Sequence, residues 1–152
     1  MGILQRIWTA PPSDEPLLAK LADIAGRHQE LADRLARHAG LCAYPNIAAA
    51  LNALAARQLQ HAHTLDALLR ERHVWSRLPR SPDAEGPSNW ARVSGDLALM
   101  LELSRETNQQ ALHWEGIDPT FAARLRTIAL EDDRSLGELR ELALKCDPQA
   151  LD

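Results

Sequence analysis

The chain has 152 residues, with 17 basic and 21 acidic side chains that give a formal net charge of −4 at pH 7. This length fits a single domain, and the mildly acidic balance lacks the basic surface that is typical of nucleic-acid binding. Ala and Leu together supply 51 residues, whereas Val and Ile supply 8. Because β-branched residues favour strands while Ala and Leu favour helices, the composition predicts an all-α protein.

The remaining bulk features argue against a membrane protein and favour the cytoplasm. No run approaches the roughly 20 apolar residues that are needed to cross a bilayer, and the first residues lack the continuous apolar core of a secretory signal. The two cysteines, Cys42 and Cys146, form neither a disulfide framework nor a zinc-ligand spacing. We therefore expect a cytoplasmic protein with reduced thiols.

Capping residues and helix breakers divide the chain into four long segments. In each segment, apolar residues recur in alternating steps of three and four, which is typical of the buried stripe of a helix in a bundle. The sequence therefore predicts a four-helix bundle. The predicted bounds, in chain order, are Ser13 or Asp14 to Gly40, Pro45 or Asn46 to between His73 and Ser76, Ser88 or Asn89 to Gly116, and Asp118 to just before Pro148.

The segment between the second and third helices is long and rich in proline, with Pro79, Pro82 and Pro87. Helices of about 26 residues are about 39 Å long at 1.5 Å per residue. Residues 76–88 reach roughly 43 Å when fully extended, so this segment can cross the whole bundle. We expect a long crossover between helices two and three; an up-down-up-down bundle with one slack loop is the alternative.

The predicted organisation is an N-terminal segment of residues 1–12, a bundle of residues 13–147 and a C-terminal tail of residues 148–152. The N-terminal segment contains a small apolar cluster. Because exposed apolar clusters are unfavourable, we expect it either to fold back on the bundle or to dock on a protein partner. The cluster consists of Ile3, Leu4, Ile7 and Trp8.

Each apolar stripe is interrupted by polar residues near the middle of its helix. The midpoints of four equal helices meet at one height, so we expect these residues to form one polar layer in the core. Burying them is unfavourable unless they bond to one another, to water or to a metal. The interrupting residues are His28 in the first helix, Gln58 and His61 in the second, Ser104 and Thr107 in the third, and Asp132 and Ser135 in the fourth.

Acidic residues near this layer add candidate metal ligands. Glu102 is the charged residue within an apolar stretch of the third helix, which predicts either burial in the layer or a place on the one exposed stripe of that helix. Glu131 and Asp133 flank Asp132. Imidazole and carboxylate groups bind iron, manganese and zinc. The candidate ligands are therefore His28, His61, Glu102, Glu131 and Asp132.

Four helices, a long connection after the second helix and a polar layer at mid-height resemble the ferritin-like superfamily, and its rubrerythrin and bacterioferritin branch in length. The resemblance covers roughly residues 13–146. Members of that family hold two metal ions with one Glu from each of two helices and a Glu-x-x-His pair from each of the other two. The corresponding pairs here are Gln58 with His61 and Glu131 with Arg134. Because glutamine is a weak ligand and arginine cannot bind a metal, the implied di-iron motif is degenerate.

Three functions are compatible with this pattern. The first, without a cofactor, is a non-catalytic ferritin-like module for binding or assembly that forms a homo-oligomer. The second is a redox protein with one Fe, Mn or Zn ion in an unorthodox site, and with Gln58 in contact with the ligands. In the third, the polar layer lines a cavity for a small ligand. The sequence shows no pattern of a catalytic nucleophile and its base, so it predicts no catalytic residue.

Overall fold

The computed structural model describes residues 14–76 and 86–147. Within these ranges it contains four α-helices and no strand, which confirms the predicted all-α four-helix architecture. No helix in the described ranges has the length and apolar character needed to span a membrane. The apolar cluster of residues 3–8 and the tail of residues 148–152 lie outside the described residues. The helices are α1 Glu15–Leu41, α2 Pro45–Arg70, α3 Asn89–Glu115 and α4 Pro119–Cys146.

The helices begin at the capping residues that the sequence offers. The Ser88 hydroxyl accepts a hydrogen bond from the Ala91 N–H at 3.1 Å, and the Asp118 carboxylate accepts one from the Phe121 N–H at 3.0 Å. Each bond satisfies a backbone donor that has no partner within the first turn of its helix. Asp14 occupies the same position before α1, but its side chain makes no capping bond.

The α2 helix ends at Arg70, earlier than the predicted range, because a turn closes its C-terminus. His73 adopts a left-handed φ of 58°. The N–H groups of His73 and Val74 reach back to the carbonyls of Arg70 and Leu69, both at 3.0 Å. These are the two bonds of a Schellman motif, which ends a helix by satisfying its last carbonyl groups.

Ion pairs between α1 and α3 show that these helices are antiparallel. Lys20 and Arg27 both pair with Glu106, and Arg34, further along α1, pairs with Asp96, which lies earlier in α3. Residue numbers therefore increase along one helix as they decrease along the other.

The α2 and α4 helices are antiparallel by the same criterion. Arg57 pairs with Glu138, whereas Glu71, beyond the end of α2, pairs with Arg124 near the start of α4. Residues 42–44 join α1 and α2 into a hairpin. Since α1 is antiparallel to both α2 and α3, the latter two helices run in the same direction. They form one diagonal of the bundle, and α1 and α4 form the other, because the helix backbones approach one another closely only along the four sides in the described ranges.

Most of the apolar side chains in the core are Leu or Ala, the two residues that dominate the composition. Trp114 closes the core near the loop between α3 and α4, where its ring packs on Phe121 with the ring centroids 4.5 Å apart. The apolar packing is interrupted at mid-height by the buried polar side chains of the predicted layer. The fold therefore places a polar site within an otherwise apolar bundle.

Candidate metal centre

Four polar side chains from α1, α2 and α4 meet in the middle of the bundle. His28, Gln58 and Asp132 are completely buried, and His61 is 2% exposed. Gln58 and His61 are three residues apart, so the helical period turns both towards the interior. The structure thus brings together four of the side chains that the interrupted apolar stripes predict.

Gln58 connects His28 to Asp132. The Nδ1 atom of His28 lies 2.6 Å from Gln58 Oε1, and Gln58 Nε2 donates to Asp132 Oδ1 at 3.2 Å. Because an amide oxygen can only accept, His28 Nδ1 must carry the proton and donate it. Burial lowers the pKa of His28, which favours the neutral ring. Its second nitrogen, Nε2, therefore carries a lone pair.

His61 lies between two carboxylates of α4. Its Nδ1 is 3.0 Å from Asp132 Oδ1, and its Nε2 is 2.7 Å from Glu131 Oε2. Burial by itself lowers the pKa of His61, but the hydrogen bonds and negative charges of Asp132 and Glu131 together outweigh burial and raise it. In the absence of a metal, the imidazolium form of His61 offsets the buried charge of Asp132.

Two buried atoms of this cluster face each other without a hydrogen bond. His28 Nε2 and Asp132 Oδ2 are 3.6 Å apart, and neither has a hydrogen-bond partner among the described residues. Both atoms present lone pairs, so their approach is unfavourable unless a cation lies between them. In a tetrahedral site, an imidazole nitrogen about 2.0–2.1 Å and a carboxylate oxygen about 2.0–2.2 Å from one metal ion are separated by roughly 3.3–3.5 Å. The observed separation therefore suits a shared metal ion.

Both imidazoles are held at the nitrogen that points away from this position. Gln58 Oε1 contacts His28 Nδ1, and Glu131 Oε2 contacts His61 Nε2. Metal-binding histidines almost always donate their other ring N–H to such an oxygen, which fixes the ring orientation. One ligand atom from each of His28, His61 and Asp132 lies within 4.8 Å of the other two. Two imidazoles and one carboxylate form a suitable donor set for iron, manganese or zinc.

The same donor set does not fit the two-metal centre that the ferritin-like resemblance implies. The Glu102 side chain is 59% exposed and pairs with Arg27 at 2.9 Å, so of its two predicted places it takes the exposed stripe and does not join the layer. The α3 helix turns Glu102 to the surface, and Arg27 also pairs with Glu106, another glutamate of α3. Arg134 is exposed. The buried cluster retains one carboxylate, Asp132, with Glu131 at its edge.

The hydroxyl groups of the predicted layer are buried but bond elsewhere. Ser104 donates to Asp133 at 2.6 Å, and Thr107 donates to a backbone carbonyl of its own helix. Ser135 accepts a hydrogen bond from Arg57. These side chains surround the cluster without supplying a fourth ligand atom to it.

Sequence reasoning missed a second buried carboxylate, Asp96 of α3. It accepts a hydrogen bond from Arg34 Nε at 2.9 Å and lies 2.5 Å from His38 Nδ1. Asp96 stands four residues before Met100, so the steps of three and four admit it to the buried stripe in place of Leu97. The spacing therefore indicated that Asp96 could be buried, but Leu97 fits the same pattern and is apolar.

We predict that the two histidines of the cluster titrate on opposite sides of pH 6.5 in the metal-free protein, His28 below it and His61 above it. The stabilisation from His61 is fully present below pH 6.5 and is lost as the pH rises through its raised pKa. His28 has the opposite effect. Because its pKa is lower in the folded protein than in the unfolded chain, the folded state becomes less stable as the pH falls below 6.5. Ring C–H chemical shifts measured by NMR check this. Parallel titration of both rings near pH 6.5 would contradict the arrangement.

Comparison with models of known protein families gives no match to this chain, and comparison with curated proteins gives none either.

Proposed function

We propose that the protein is a ferritin-like four-helix bundle that binds one divalent transition-metal ion between His28, His61 and Asp132. The observation that carries the proposal is the pair of buried lone-pair atoms, His28 Nε2 and Asp132 Oδ2, which lie 3.6 Å apart without hydrogen-bond partners among the described residues. Bound iron or manganese would supply redox chemistry, whereas zinc would act as a Lewis acid.

The charges around the cluster support a divalent ion. Asp132 and Glu131 contribute two negative charges beside the histidine nitrogens, which matches the charge of such an ion. Burial adds to this preference, because an uncompensated carboxylate in an apolar interior is strongly unfavourable. When His61 binds a metal, its proton leaves and the metal takes over the neutralisation of Asp132.

We also propose the connectivity that the resemblance implies, with a long crossover between α2 and α3. The shared direction of these two helices supports it, because a chain that leaves the end of α2 must travel the length of the bundle before it can begin α3. Residues 77–85 of this connection lie outside the described residues.

The metal content of the purified protein tests the proposed function. We expect elemental analysis of protein prepared without chelator, or titration of metal-free protein with Co(II), to give one ion per chain. His61→Ala should abolish this binding, whereas His63→Ala, an exposed histidine on the same helix, should not. A protein that binds no metal, or a His61→Ala variant with unchanged content, would refute the proposal, and two ions per chain would indicate a di-metal centre.

A non-catalytic binding or assembly module is the second candidate, and one observation favours it. The cluster already forms a hydrogen-bonded network, in which Asp132 accepts from Gln58 and pairs with His61. A buried polar network of this kind can fix the alignment of helices without any metal. In that case the purified protein contains no metal, and His61→Ala changes only the stability of the fold. This candidate also predicts a homo-oligomer, which analytical ultracentrifugation tests.

A further inference from the structure

A second group of chemically reactive side chains lies at the end of the bundle where α1 and α4 terminate. Cys42 directly follows α1, Cys146 is the last residue of α4, and both are half-buried free cysteines. Two hollows open at this end and share Ile47 and Asn89 in their walls. One hollow is also lined by Cys42 and the other by Cys146. The fold thus brings together two thiols that are distant in sequence.

Cys42 shares its hollow with a histidine whose orientation is fixed by a carboxylate. His38 and Cys42 are four residues apart at the end of α1, on one side of the helix, and both line the hollow. Asp96 contacts His38 Nδ1 at 2.5 Å. A carboxylate can only accept, so the Nδ1 proton is directed to Asp96. In the neutral ring, Nε2 then carries the lone pair that can take a proton from a thiol.

An arginine completes this group. Arg92 lines the same hollow, and its buried Nε has no hydrogen-bond partner among the described residues. At present the Cys42 thiol donates only a long hydrogen bond, 3.7 Å, to the Tyr44 carbonyl. The Cys42 thiol therefore lines the same hollow as a base and a cation, and its own hydrogen bond to Tyr44 is weak.

We propose that Cys42 is a peroxide-reactive thiol and that Cys146 resolves its oxidised form into an intramolecular disulfide. In the first step His38 accepts the thiol proton, and the Cys42 sulfur attacks one oxygen of a hydroperoxide. The O–O bond breaks, sulfenic acid forms, and the other oxygen leaves as water or alcohol with the proton from His38. In the second step the Cys146 sulfur attacks the sulfenic sulfur, the S–S bond forms and water leaves. Two thiols lose two electrons and two protons, and one peroxide is reduced.

The different surroundings of the two thiols set the order of these steps. Burial raises the pKa of Cys146, and the proximity of Cys42 raises it further. Cys146 thus stays protonated and reacts slowly with peroxide itself, because the thiolate is the nucleophile. A disulfide would link the ends of α1 and α4, the diagonal pair of helices, whose backbones do not approach each other closely.

Hydrogen peroxide added to the full chain tests the proposal. In Cys146→Ser we expect dimedone, which traps sulfenic acid, to label Cys42, as mapped by mass spectrometry. In the wild-type chain we expect a Cys42–Cys146 disulfide within one chain. Cys42 in the Cys146→Ser variant should react at least about tenfold faster than Cys146 in the Cys42→Ser variant, because burial raises the pKa of Cys146 and so lowers its thiolate content.

Two histidine variants separate an activated thiol from a merely accessible one. His38→Asn should slow Cys42 oxidation to the rate of Cys146, whereas His113→Asn, at an exposed position of α3, should leave it unchanged. Circular dichroism confirms that each variant is folded. If His38→Asn fails to fold, the comparison of the two single-cysteine variants decides alone. Equal rates for the two thiols, or disulfides only between chains, would overturn the proposal.

Discussion

Asp132→Ala is expected to abolish metal binding and, in the metal-free protein, to lower the free energy of unfolding by about 3–5 kcal/mol. Asp132 is completely buried, accepts from Gln58 and balances the charge of His61. Its removal leaves a buried amide donor and a buried imidazolium without their partner. The loss of a shared acceptor is costlier than the loss of one neutral hydrogen bond, which contributes about 0.5–1.5 kcal/mol.

Urea unfolding of the metal-free protein, with and without added Co(II), measures this effect. Glu138→Ala is the matched control, because Glu138 lies on the same helix and pairs with Arg57 at the half-exposed surface. We expect it to change stability by less than about 1 kcal/mol and to keep one metal ion per chain. An Asp132→Ala variant as stable as Glu138→Ala would show that the network is not stabilising, and retained metal would place the site elsewhere.

Asp96→Ala is expected to lower the free energy of unfolding by about 3 kcal/mol while leaving the metal content unchanged. Asp96 is the buried acceptor for both Arg34 and His38. The cost falls at the lower end of the range for breaking a buried pair, because the partly exposed Arg34 can turn to water whereas His38 cannot. The unchanged metal content follows from the separation along α1, where His38 lies ten residues, or about 15 Å, beyond His28.

Urea unfolding combined with elemental analysis checks this second prediction. Asp33→Ala is its control, since Asp33 is an exposed acid on α1 whose bond to Gln29 is local, and such surface changes alter stability by less than about 0.5 kcal/mol. If Asp96→Ala matched Asp33→Ala, the buried pairing with His38 would not stabilise the fold. Loss of metal in Asp96→Ala alone would show that the two clusters are coupled.

The fold and the core of the site were predictable because both depend on local rules. Ser88 and Asp118 are capping residues whose side-chain oxygens satisfy the first turn of α3 and α4, and proline and glycine confine the helices between them. With the helix lengths known, the midpoints determine the height of the polar residues. His28 and His61 could therefore be assigned to one layer from the sequence alone.

The rotation of α3 was not predictable in the same way. Adjacent residues on a helix point about 100° apart, so the stripe pattern does not decide whether Asp96 or Leu97 faces inwards. The choice depends on the α1 helix, which presents Arg34 and His38 to Asp96. The same partner helix presents Arg27 to Glu102 at the surface. Such pairings join residues that are far apart in sequence, and the residue pattern of one helix does not determine them.

The positions of the hydrogen atoms in the site could not be predicted from the sequence either. A list of His28, Gln58 and Asp132 does not say which ring nitrogen is protonated or which carboxylate oxygen lacks a partner. Those facts come from the position of the Gln58 amide, whose oxygen faces His28 and whose nitrogen faces Asp132. The sequence indicated that ligands were present, whereas the case for a single metal ion depends on their orientation.

The division of the cluster between the two helical hairpins has a consequence for assembly. The hairpin of α1 and α2 supplies His28, Gln58 and His61, whereas the hairpin of α3 and α4 supplies Asp132. Under the proposed function, neither half alone can hold the ion, so metal binding and docking of the halves are thermodynamically linked. At a free metal concentration of 100 times Kd, the ion would favour the docked state by about 2.7 kcal/mol. A chain cut within residues 77–85 would then behave as a metal-dependent heterodimer.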